Sequence, residues 1–347
     1  MTFHEQFIKR CFNLAQQGAG SVSPNPMVGA VLVHQNTIIG EGFHRQYGNA
    51  HAEVNAIQNV PFHLRHLIPA ATLYVSLEPC CFFGKTPACT NLILEQRIPK
   101  VVVSCLDATP NVNGKGIEIL RAHGVEVITG VLEVEGRQLV KPRAVFATQE
   151  RPYVVIKLAK SQDGFIGKSE EQIWLTNAYV KRLVHKWRSE TDAILIGTNT
   201  AKIDNPQLTN RYYFGKNPQR IVLDEHNSLP NHLAIKDQLI PTIVVTAAST
   251  VDEVPHEHLS YLQLPFNQTL LPNLLKSLHN RKVGILLVEG GAKLVQSFFD
   301  AGLWDEARIF ETSHQLGDGI AAPNVPASVF ETKYIGQDKL TVYMKEG

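Results

Sequence analysis

Three side chains that can bind a metal ion lie close together in the first third of the sequence. His51 begins a His-Ala-Glu triplet, Cys80 ends a Leu-Glu-Pro-Cys stretch, and Cys89 ends a Thr-Pro-Ala-Cys stretch. One imidazole and two thiolates suit tetrahedral Zn²⁺, and three protein ligands leave its fourth position open, as in catalytic zinc sites. We therefore predict that these three residues bind a catalytic Zn²⁺.

The carboxylate of Glu53 lies two residues beyond the predicted histidine ligand. A zinc-bound water ionises near neutral pH, and a nearby carboxylate that is not a ligand can take its proton and deliver it to a leaving amine. If a helix begins at residue 52, His51 and Glu53 share its first turn and point in different directions. The pattern predicts that Glu53 is the catalytic general acid and base.

This set of residues resembles the zinc-dependent nucleobase deaminases, in which a Pro-Cys pair supplies sulfur and the glutamate is not a ligand. Most of those deaminases place two residues between the cysteines, whereas eight separate Cys80 from Cys89. The longer loop resembles the deaminase half of the bifunctional deaminase/reductases of riboflavin biosynthesis. That resemblance implies an N-terminal α/β/α sandwich like that of cytidine deaminase.

The same resemblance implies three substrate contacts in this half. Asn25 lies in a Pro-Asn-Pro motif, and its amide can both donate to and accept from a pyrimidine edge. His44, in Gly-Phe-His-Arg, and Lys85, in Gly-Lys-Thr-Pro, match positions that contact substrate in the family. The ammonium group of Lys85 would supply a point charge for a phosphate.

The composition is that of a globular chain without a polyanionic partner. Of its residues, 44% are hydrophobic and 19% are charged, as in globular proteins, and a length of 347 residues is sufficient for two domains. A formal charge of +1 argues against a nucleic-acid-binding surface. The chain has five cysteines, and two of them are assigned to metal. This odd number favours a reducing compartment over a disulfide framework. Because neither a leader-like segment nor a membrane-spanning apolar run is seen, we expect a soluble cytoplasmic protein.

Strand and helix patterns alternate around the predicted zinc site. Strands are predicted at 30–34, 37–40, 71–76, 101–105 and 125–129, with a turn at Gln35 and Asn36. Helices are predicted at 3–17, 90–96 and 117–123. This order predicts an α/β fold with a mixed sheet, in which the zinc ligands lie where strands give way to helices.

The periodicity is lost at residues 131–150, where we predict a linker. The predicted domains are therefore 1–147, a zinc-dependent pyrimidine deaminase, and 151–347, a reductase. Strands of the second domain are predicted at 153–159, 193–197, 220–224, 242–246 and 285–289, with a long helix at 177–189. This pattern indicates a second α/β domain.

The second domain lacks the Gly-x-Gly-x-x-Gly fingerprint of dinucleotide binding. Gly290 and Gly291 instead follow a predicted strand and precede a predicted helix at 292–301. Two glycines let a ligand approach the backbone, and the free N–H groups of the helix can bind a pyrophosphate. Taken alone, the junction is equally well explained as a tight structural turn.

Motifs of the second domain resemble, in order, the reductase half of the same family, a relative of dihydrofolate reductase in fold. They include Ser-Gln-Asp-Gly at 161–164, Trp-Leu-Thr-Asn at 174–177 and Val-Glu-Gly-Gly-Ala at 288–292. By position, the resemblance implies an NADPH site made by Ala159, Trp174, Thr200, Asp204, Glu225, Gly291, Ala292, Lys293, Leu294, Val295, Gln296 and Ser297. It implies substrate contacts from Gln172, Arg188, Leu208, Arg211 and Glu289.

The resemblance as a whole implies two steps of riboflavin synthesis. The first is zinc-dependent hydrolytic deamination of a diaminopyrimidinone ribosyl phosphate, and the second is NADPH-dependent reduction of the ribosyl group of the resulting uracil to a ribityl chain. Arg188 and Arg211 suit a phosphorylated ribose, because a guanidinium group pairs bidentately with phosphate oxygens. The implied partners are this small phosphorylated pyrimidine and further copies of the chain in a homo-oligomer, with no nucleic acid or membrane.

The sequence departs from the family pattern at three places. Cys81, Phe82 and Phe83 replace a polar pair such as Ser-His, Asp107-Ala-Thr-Pro replaces Asp-Pro-Asn-Pro, and Val140 replaces an asparagine near the domain junction. The first departure changes the residues around the zinc, and the second changes the loop near the base.

Two other functions are compatible with parts of the pattern. One is a transfer-RNA or nucleoside deaminase with an unrelated second domain, against which the eight-residue gap and near-neutral charge argue. The other is a zinc-stabilised binding protein without activity, in which Cys81 would close the site as a fourth ligand. The presence of Glu53 argues against that alternative.

Overall fold

The computed structural model describes residues 2–169, 171–249 and 257–345. The chain divides into two compact units, Met1–Arg151 and Pro152–Gly347, each with its own sheet. We call them unit 1 and unit 2. Across the described ranges, no helix is both long enough and apolar enough to cross a bilayer.

Unit 1 is built on a five-stranded sheet with the order β2-β1-β3-β4-β5. Its strands are β1 (Gly29–His34), β2 (Thr37–Phe43), β3 (Thr72–Leu77), β4 (Lys100–Cys105) and β5 (Glu126–Thr129). Its helices are α1 (Phe3–Ala15), α2 (Ala52–Gln58), α3 (Cys89–Glu95), α4 (Lys115–Ala122) and α5 (Glu133–Thr148). Two 3₁₀ segments lie at Gln16–Gly18 and Phe62–Ala70.

The sheet of unit 1 is mixed, as predicted. β1 runs antiparallel to β2 and β3, while β3, β4 and β5 are parallel. Gln35 and Asn36 have φ values of 46° and 68°, which are the positive values that a two-residue hairpin turn requires. The carboxyl ends of β3 and β4 consequently lie side by side at one edge of the sheet.

Both faces of this sheet are buried, because alternate side chains of each strand point to opposite sides. Ala30 and Leu32 pack in the core that includes residues of α2, α3 and α4. Val31 and Val33 pack in a separate core with α1. The result is the α/β/α sandwich that the sequence implied, and two-sided burial explains why the strands are almost continuously apolar.

The linker predicted at 131–150 is wrong, because most of this segment forms α5. Pro142 lies inside the helix, and the local apolar pattern is weak, yet Val140 and Phe146 are buried. A Cβ atom added at Gly136 would lie 2.3 Å from Oγ of Ser104, so glycine allows the helix to approach β4 closely. Tertiary packing therefore stabilises a helix that local periodicity does not indicate.

Unit 2 contains a nine-stranded sheet with the order β10-β9-β8-β7-β11-β6-β12-β14-β13. Its strands are β6 (Tyr153–Lys160), β7 (Ala193–Gly197), β8 (Gln219–Leu223), β9 (Thr242–Thr246), β10 (Leu259–Gln263), β11 (Ile285–Val288), β12 (Glu306–Glu311), β13 (Val329–Ile335) and β14 (Asp338–Met344). Its helices are α6 (Ala178–Glu190), α7 (Thr198–Asp204), α8 (Leu270–Asn280) and α9 (Ala292–Asp300), and a 3₁₀ segment lies at Ala234–Lys236.

Strands β6 to β12 of this sheet pair in parallel, whereas β14 pairs antiparallel with both β12 and β13. The strands predicted near 153, 193, 220, 242 and 285 are confirmed. The α6 helix is also confirmed, with Asn177 as its N-cap, accepting hydrogen bonds from the N–H groups of Tyr179 and Val180. The C-terminal strands and α8 were not predicted.

Candidate functional site

The three predicted metal ligands come together at the carboxyl end of β3. His51 is the N-cap of α2, Cys80 follows β3, and Cys89 is the first residue of α3. Their ligand atoms all lie within 4.8 Å of one another. The Nδ1 atom of His51 is 3.4 Å from Sγ of each cysteine.

These separations suit a tetrahedral zinc ion. Zn–S bonds of about 2.3 Å and Zn–N bonds of about 2.0 Å, at the tetrahedral angle, place nitrogen and sulfur about 3.5 Å apart. The hydrogen bond between the two cysteines lowers the pKa of Cys80 and raises that of Cys89, so the pair shares a proton and Cys80 is the thiolate that is ready to bind metal. Three ligands of this chemistry therefore fit Zn²⁺.

Cys81 does not join this cluster in the part of the chain that the structure describes. Its Sγ atom instead contacts the carbonyl oxygen of Asn111 at 3.8 Å. The closed, four-ligand site considered as an alternative thus has no fourth protein ligand here, and the three ligands leave room for a water or substrate atom.

Glu53 lies in the first turn of α2, and its residue is only 3% exposed. Burial raises the pKa of its carboxyl group above the ordinary value, although the nearby His51 opposes this shift. A raised pKa brings a carboxyl group toward the range in which it both accepts and releases a proton near neutral pH. The burial and the raised pKa of Glu53 are both compatible with the proton-transfer role that the sequence predicts.

A cavity of about 180 Å³ opens beside this cluster. The predicted substrate residues Asn25, His44 and Lys85 all line it, together with His51 and Glu53. Asp107 and Thr109, from the loop after β4, also contribute to its wall. The structure thus brings every site residue predicted in unit 1 to one place.

Asn25 and His44 form a pair whose hydrogen-bond directions can be assigned. His44 Nδ1 lies 3.0 Å from the carbonyl oxygen of Ala50, so Nδ1 carries the proton and donates it. The Nε2 atom then accepts from the amide nitrogen of Asn25 at 3.1 Å. Burial lowers the pKa of His44, which keeps the imidazole neutral. The amide oxygen of Asn25 is consequently available to accept from a ligand N–H group.

The loop between the two cysteines places a cation and an aromatic ring at the cavity. The Nζ atom of Lys85 lies 4.1 Å from the ring centroid of Tyr47, which is a cation–π contact. Phe82, from the segment that departs from the family pattern, also lines the cavity. Phe83 is 78% exposed and does not appear in the lining.

Glu78 is a site residue that sequence reasoning missed. It is 4% exposed, and its carboxylate accepts hydrogen bonds from the backbone N–H groups of Asp107, Gly114 and Gly116 at 3.2, 2.8 and 2.9 Å. It therefore ties the segment that carries Cys80 to the loop that forms one wall of the cavity. The sequence signal was present, since this glutamate lies in the Leu-Glu-Pro-Cys motif.

In unit 2, Glu289 and Arg188 form a buried ion pair. Nε and Nη2 of Arg188 donate to the two carboxylate oxygens of Glu289 at 2.9 and 2.7 Å, and Nη1 donates to the carbonyl of Thr209. The side chains are 12% and 6% exposed. The guanidinium group that we expected to hold phosphate bidentately is therefore already engaged, and it holds the pKa of Glu289 below its ordinary value despite burial.

Lys157 is a second residue that the sequence analysis did not single out. It lies in β6, where it interrupts a run of apolar residues. Burial lowers its pKa, while the negative charges of Glu289 and Asp204 oppose that shift. A charge in the middle of a buried strand was the available signal, but its partners come from distant segments of the chain.

Arg211 is held near this ion pair through its backbone. Its N–H group donates to Nδ1 of His185 at 2.9 Å, and its side chain donates to Gln207 and Thr209 at 2.6 and 2.7 Å. Burial, followed by the charges of Arg188 and Arg211, lowers the pKa of His185 to about 4. His185 is therefore neutral and able to accept this bond.

The Gly290-Gly291 junction forms a cradle at the start of α9. Gly291 has a φ value of 45°, which favours glycine, and the first α-helical hydrogen bond runs from Val295 N–H to Gly291 O at 3.1 Å. The preceding N–H groups point out of the helix end, as a pyrophosphate requires. A Cβ atom at Gly291 would lie 3.3 Å from Oγ1 of Thr200, another predicted cofactor residue.

The other predicted residues of unit 2 lie at strand ends and in the loops that follow them. Gln172 donates to the carbonyl of Asp204 at 3.0 Å, and Asp204 ends α7. Leu208 is buried and has a φ value of 53°. Ala159 lies near the end of β6, Glu225 follows β8, and Trp174 is 65% exposed.

Two family models match the chain. Residues 1–105 match the cytidine and deoxycytidylate deaminase zinc-binding region, and residues 152–335 match the RibD C-terminal domain. The chain is 36% identical over 323 residues to the riboflavin biosynthesis protein RibD of Aquifex aeolicus (strain VF5), which covers 91% of this chain and 89% of that protein. It is 34% identical to RibD of Bacillus amyloliquefaciens, with 99% and 97% covered.

Two solved structures are similar over nearly the whole chain. One is a diaminohydroxyphosphoribosylaminopyrimidine deaminase/5-amino-6-(5-phosphoribosylamino)uracil reductase from Thermotoga maritima, with a TM-score of 0.90 and 34% identity, covering 99% of this chain and 98% of that chain. The other is RibD of Acinetobacter baumannii, with a TM-score of 0.86, 28% identity and the same coverage.

Proposed function

The chain belongs to the RibD family of riboflavin-biosynthesis proteins, and on this premise we propose that it carries out two successive steps on one small phosphorylated pyrimidine. It is a bifunctional enzyme with a zinc-binding deaminase domain and a reductase domain. The Thermotoga maritima relative acts on a diaminohydroxyphosphoribosylaminopyrimidine and on a phosphoribosylaminouracil. We assign the first reaction to residues 1–147 and the second to residues 151–347.

One observation carries the deaminase assignment. Glu53, whose carboxyl group has a raised pKa, lines the same cavity as His51 and the Asn25–His44 pair. A metal site with an open position, a proton carrier and groups that suit a pyrimidine edge are together what hydrolytic deamination needs. The nucleoside-type deaminase with an unrelated second domain is not favoured, because the RibD relatives match across both halves.

In the proposed deamination, water attacks the carbon that bears the amino group of the pyrimidine, and the amino group leaves as ammonia. His51, Cys80 and Cys89 hold Zn²⁺, which when bound supplies Lewis-acid activation of water. The Glu53 carboxylate takes the proton that the attacking water loses, and returns it to the departing amine. The amide oxygen of Asn25 accepts from an N–H group of the base, while neutral His44 fixes the orientation of that amide.

In the proposed reduction, NADPH when bound supplies the hydride that converts the ribosyl group to a ribityl chain. The N–H groups at the start of α9 would hold its pyrophosphate. Arg188 and Arg211 keep their proposed contacts with the substrate, and we assign the phosphate mainly to Arg211 because Glu289 occupies the fork of Arg188. Lys157, whose pKa burial lowers, is our candidate for the group that gives a proton to the ribose oxygen as the ring opens.

The remaining residues keep the roles implied by position. Contacts to NADPH are proposed for Ala159, Trp174, Thr200, Asp204, Glu225 and residues 291–297, and contacts to substrate for Gln172, Leu208 and Glu289. We also propose a cytoplasmic homo-oligomer without nucleic-acid or membrane partners. The near-zero net charge supports the absence of a nucleic-acid partner, and light scattering would measure the oligomeric state.

A coupled assay tests both activities on the full chain. The diaminopyrimidinone ribosyl phosphate is supplied, ammonia release is measured without nicotinamide cofactor, and NADPH or NADH is then added while the absorbance of the reduced cofactor is followed. We expect ammonia release first and cofactor oxidation only after deamination, faster with NADPH. Cofactor oxidation without ammonia release, or neither signal from zinc-loaded protein, would contradict the proposal.

Metal analysis of two neighbouring cysteine variants tests the ligand set. Cys80→Ser should lose the metal, whereas Cys81→Ser should keep about one zinc ion per chain, because only Cys80 belongs to the ligand cluster. The two variants are matched, since they change adjacent residues of the same type. Retention of zinc by Cys80→Ser with loss in Cys81→Ser would show that the assignment is wrong.

A further inference from the structure

Two basic side chains line the deaminase cavity, Lys85 and Arg143. Lys85 matches a family position that contacts substrate, but Arg143 was not singled out by any motif. It lies in α5, the helix that sequence periodicity failed to indicate. A guanidinium group that lines a cavity without an anionic partner from the protein is available to an anionic ligand.

The carboxylates that line the same cavity are committed to other groups. Glu78 accepts from three backbone N–H groups, and Asp107 accepts from the N–H group of Thr109 at 2.8 Å. Glu53 lies buried beside the metal cluster. Among the described residues, no carboxylate lies within ion-pair distance of Arg143. Within the described ranges, this positive charge therefore has no anionic partner.

The donors of Arg143 are also largely unused. Its single described hydrogen bond runs from Nη2 to Oγ1 of Thr109 at 3.4 Å, which is long. A guanidinium group carries five N–H donors in a planar fork that matches two oxygens of a phosphate. Since the side chain is only partly buried, the remaining donors are accessible from the cavity.

The helix holds Arg143 more firmly than the loop holds Lys85. Val140, three residues earlier on α5, is buried against Leu77 and Cys105, the last residues of β3 and β4. Residues three apart on a helix share a face, so this packing directs Arg143 toward the carboxyl ends of those strands. Lys85, by contrast, lies in the loop between the metal cysteines and rests on Tyr47.

We propose that Arg143 binds the phosphate group of the deaminase substrate and, with Lys85, selects the phosphorylated pyrimidine over its unphosphorylated riboside. The inference rests on the proposed function, because it takes the substrate to be a phosphoribosylaminopyrimidine. Arg143 provides a fixed bidentate contact, and Lys85 provides an adjustable point charge.

The test compares one variant on two substrates. Ammonia release by the zinc-loaded full chain is measured with the phosphorylated substrate and with the riboside prepared from it by phosphatase. Charge-assisted hydrogen bonds of this kind correspond to about a 10- to 150-fold change. Arg143→Ala should therefore lower kcat/KM for the phosphorylated substrate about 10- to 150-fold, mainly through KM, and should change that for the riboside by less than about threefold. Arg143→Lys should recover part of the loss.

Arg137→Ala is the matched control, since Arg137 lies on the same helix, is exposed and pairs with Glu133. It should leave both substrates unaffected. Zinc content and the reductase rate should be unchanged in all variants. An equal loss on both substrates would mean that Arg143 acts only by supporting the Thr109 wall, and no loss on either would also overturn the proposal. Wild-type protein that fails to deaminate the phosphorylated substrate would instead contradict the proposed function.

Discussion

Each unit contains a buried glutamate at its site, and the two are prepared for opposite tasks. In unit 1, no cationic side chain among the described residues hydrogen-bonds to Glu53, and burial raises the pKa of its carboxyl group. In unit 2, Glu289 receives both donors of the Arg188 fork, and the pKa of its carboxyl group is lowered. One carboxyl group is set to exchange a proton, and the other is set to remain an anion.

The pKa of a buried carboxyl group therefore depends on its partner more than on burial alone. A permanent cation at bonding distance compensates the cost of removing the charge from water, and it also removes the group from proton transfer. Where that cation is missing, the protonated form becomes accessible. Substitutions that remove the carboxylate or its partner should therefore have different consequences in the two units.

The largest expected effect is on deamination by Glu53→Gln. A general acid–base group contributes about 10²- to 10⁴-fold, so ammonia release should fall by that factor while zinc is retained. Ammonia assays and metal analysis on the purified full chain measure the two outcomes, with the reductase rate as an internal control. Near-normal deamination would show that Glu53 does not carry the proton. Loss of zinc would show that Glu53 is a metal ligand.

Removing the partner of Glu289 should mainly affect stability. Arg188→Ala leaves an uncompensated buried carboxylate, which typically costs about 3–5 kcal/mol in the free energy of unfolding. Urea denaturation followed by tryptophan fluorescence measures the change, and Trp187 on α6 reports on this region. Lys186→Ala is the control, because it breaks the surface pair with Glu190 on the same helix and should cost under about 0.5 kcal/mol. Equal effects of the two variants would contradict the distinction between buried and surface pairs.

A smaller effect is expected at Glu78, a third buried carboxylate, whose described hydrogen bonds all come from backbone N–H groups. Glu78→Gln replaces one accepting oxygen with an amide that cannot accept, so about 1–3 kcal/mol of stabilisation of the cavity loop should be lost. Hydrogen exchange of the amides of Asp107, Gly114 and Gly116 should accelerate, and the KM of deamination should rise more than kcat falls. Unchanged exchange at all three amides would exclude the bracing role of Glu78.

The smallest expected effect near neutral pH concerns His185. Its pKa is lowered from 6.5 to about 4, so the unfolded chain binds the proton more readily than the folded one. Stability is unaffected above pH 6.5, falls as the pH decreases from 6.5 to 4, and changes no further through this group below 4. The groups acting on His185 are Arg188, Arg211, Glu289 and Lys181. Thermal unfolding across this range should show a shallower slope for His185→Gln, whose amide oxygen can still accept from Arg211 N–H.

Much of the unit 1 site was predictable because its chemistry is local. His51 and Glu53 are two residues apart, and the two cysteine ligands are recognisable from the short motifs that contain them. The interpretation of α5 failed because Pro142 and Gly136 mask a helix whose stability depends on packing against β3 and β4. Arg143 was missed with it, since a residue placed in a linker has no defined direction.

The unit 2 site was harder to read because its partners are far apart in sequence. Arg188 and Glu289 are 101 positions apart in the sequence, and neither segment contains a pattern that predicts its contact with the other. Periodicity located β6, but it could not show that Lys157 on that strand would lie near charges from two other segments. The C-terminal hairpin was also not predicted, because most side chains of β13 are exposed and its sequence lacks the apolar alternation of a half-buried strand.

The strand order of unit 2 has a consequence for how the chain is synthesised. β6 is the first strand of the unit to leave the ribosome, yet its two neighbours, β11 and β12, are among the last. About 125 residues separate the end of β6 from the start of β11, which takes about 6–25 s at translation rates of about 5–20 residues per second. Both edges of an apolar strand stay unpaired during that interval, and such edges recruit other chains. In unit 1, β1 has both partners by residue 77. We therefore expect the nascent reductase unit to be more open to association with other chains than unit 1 is.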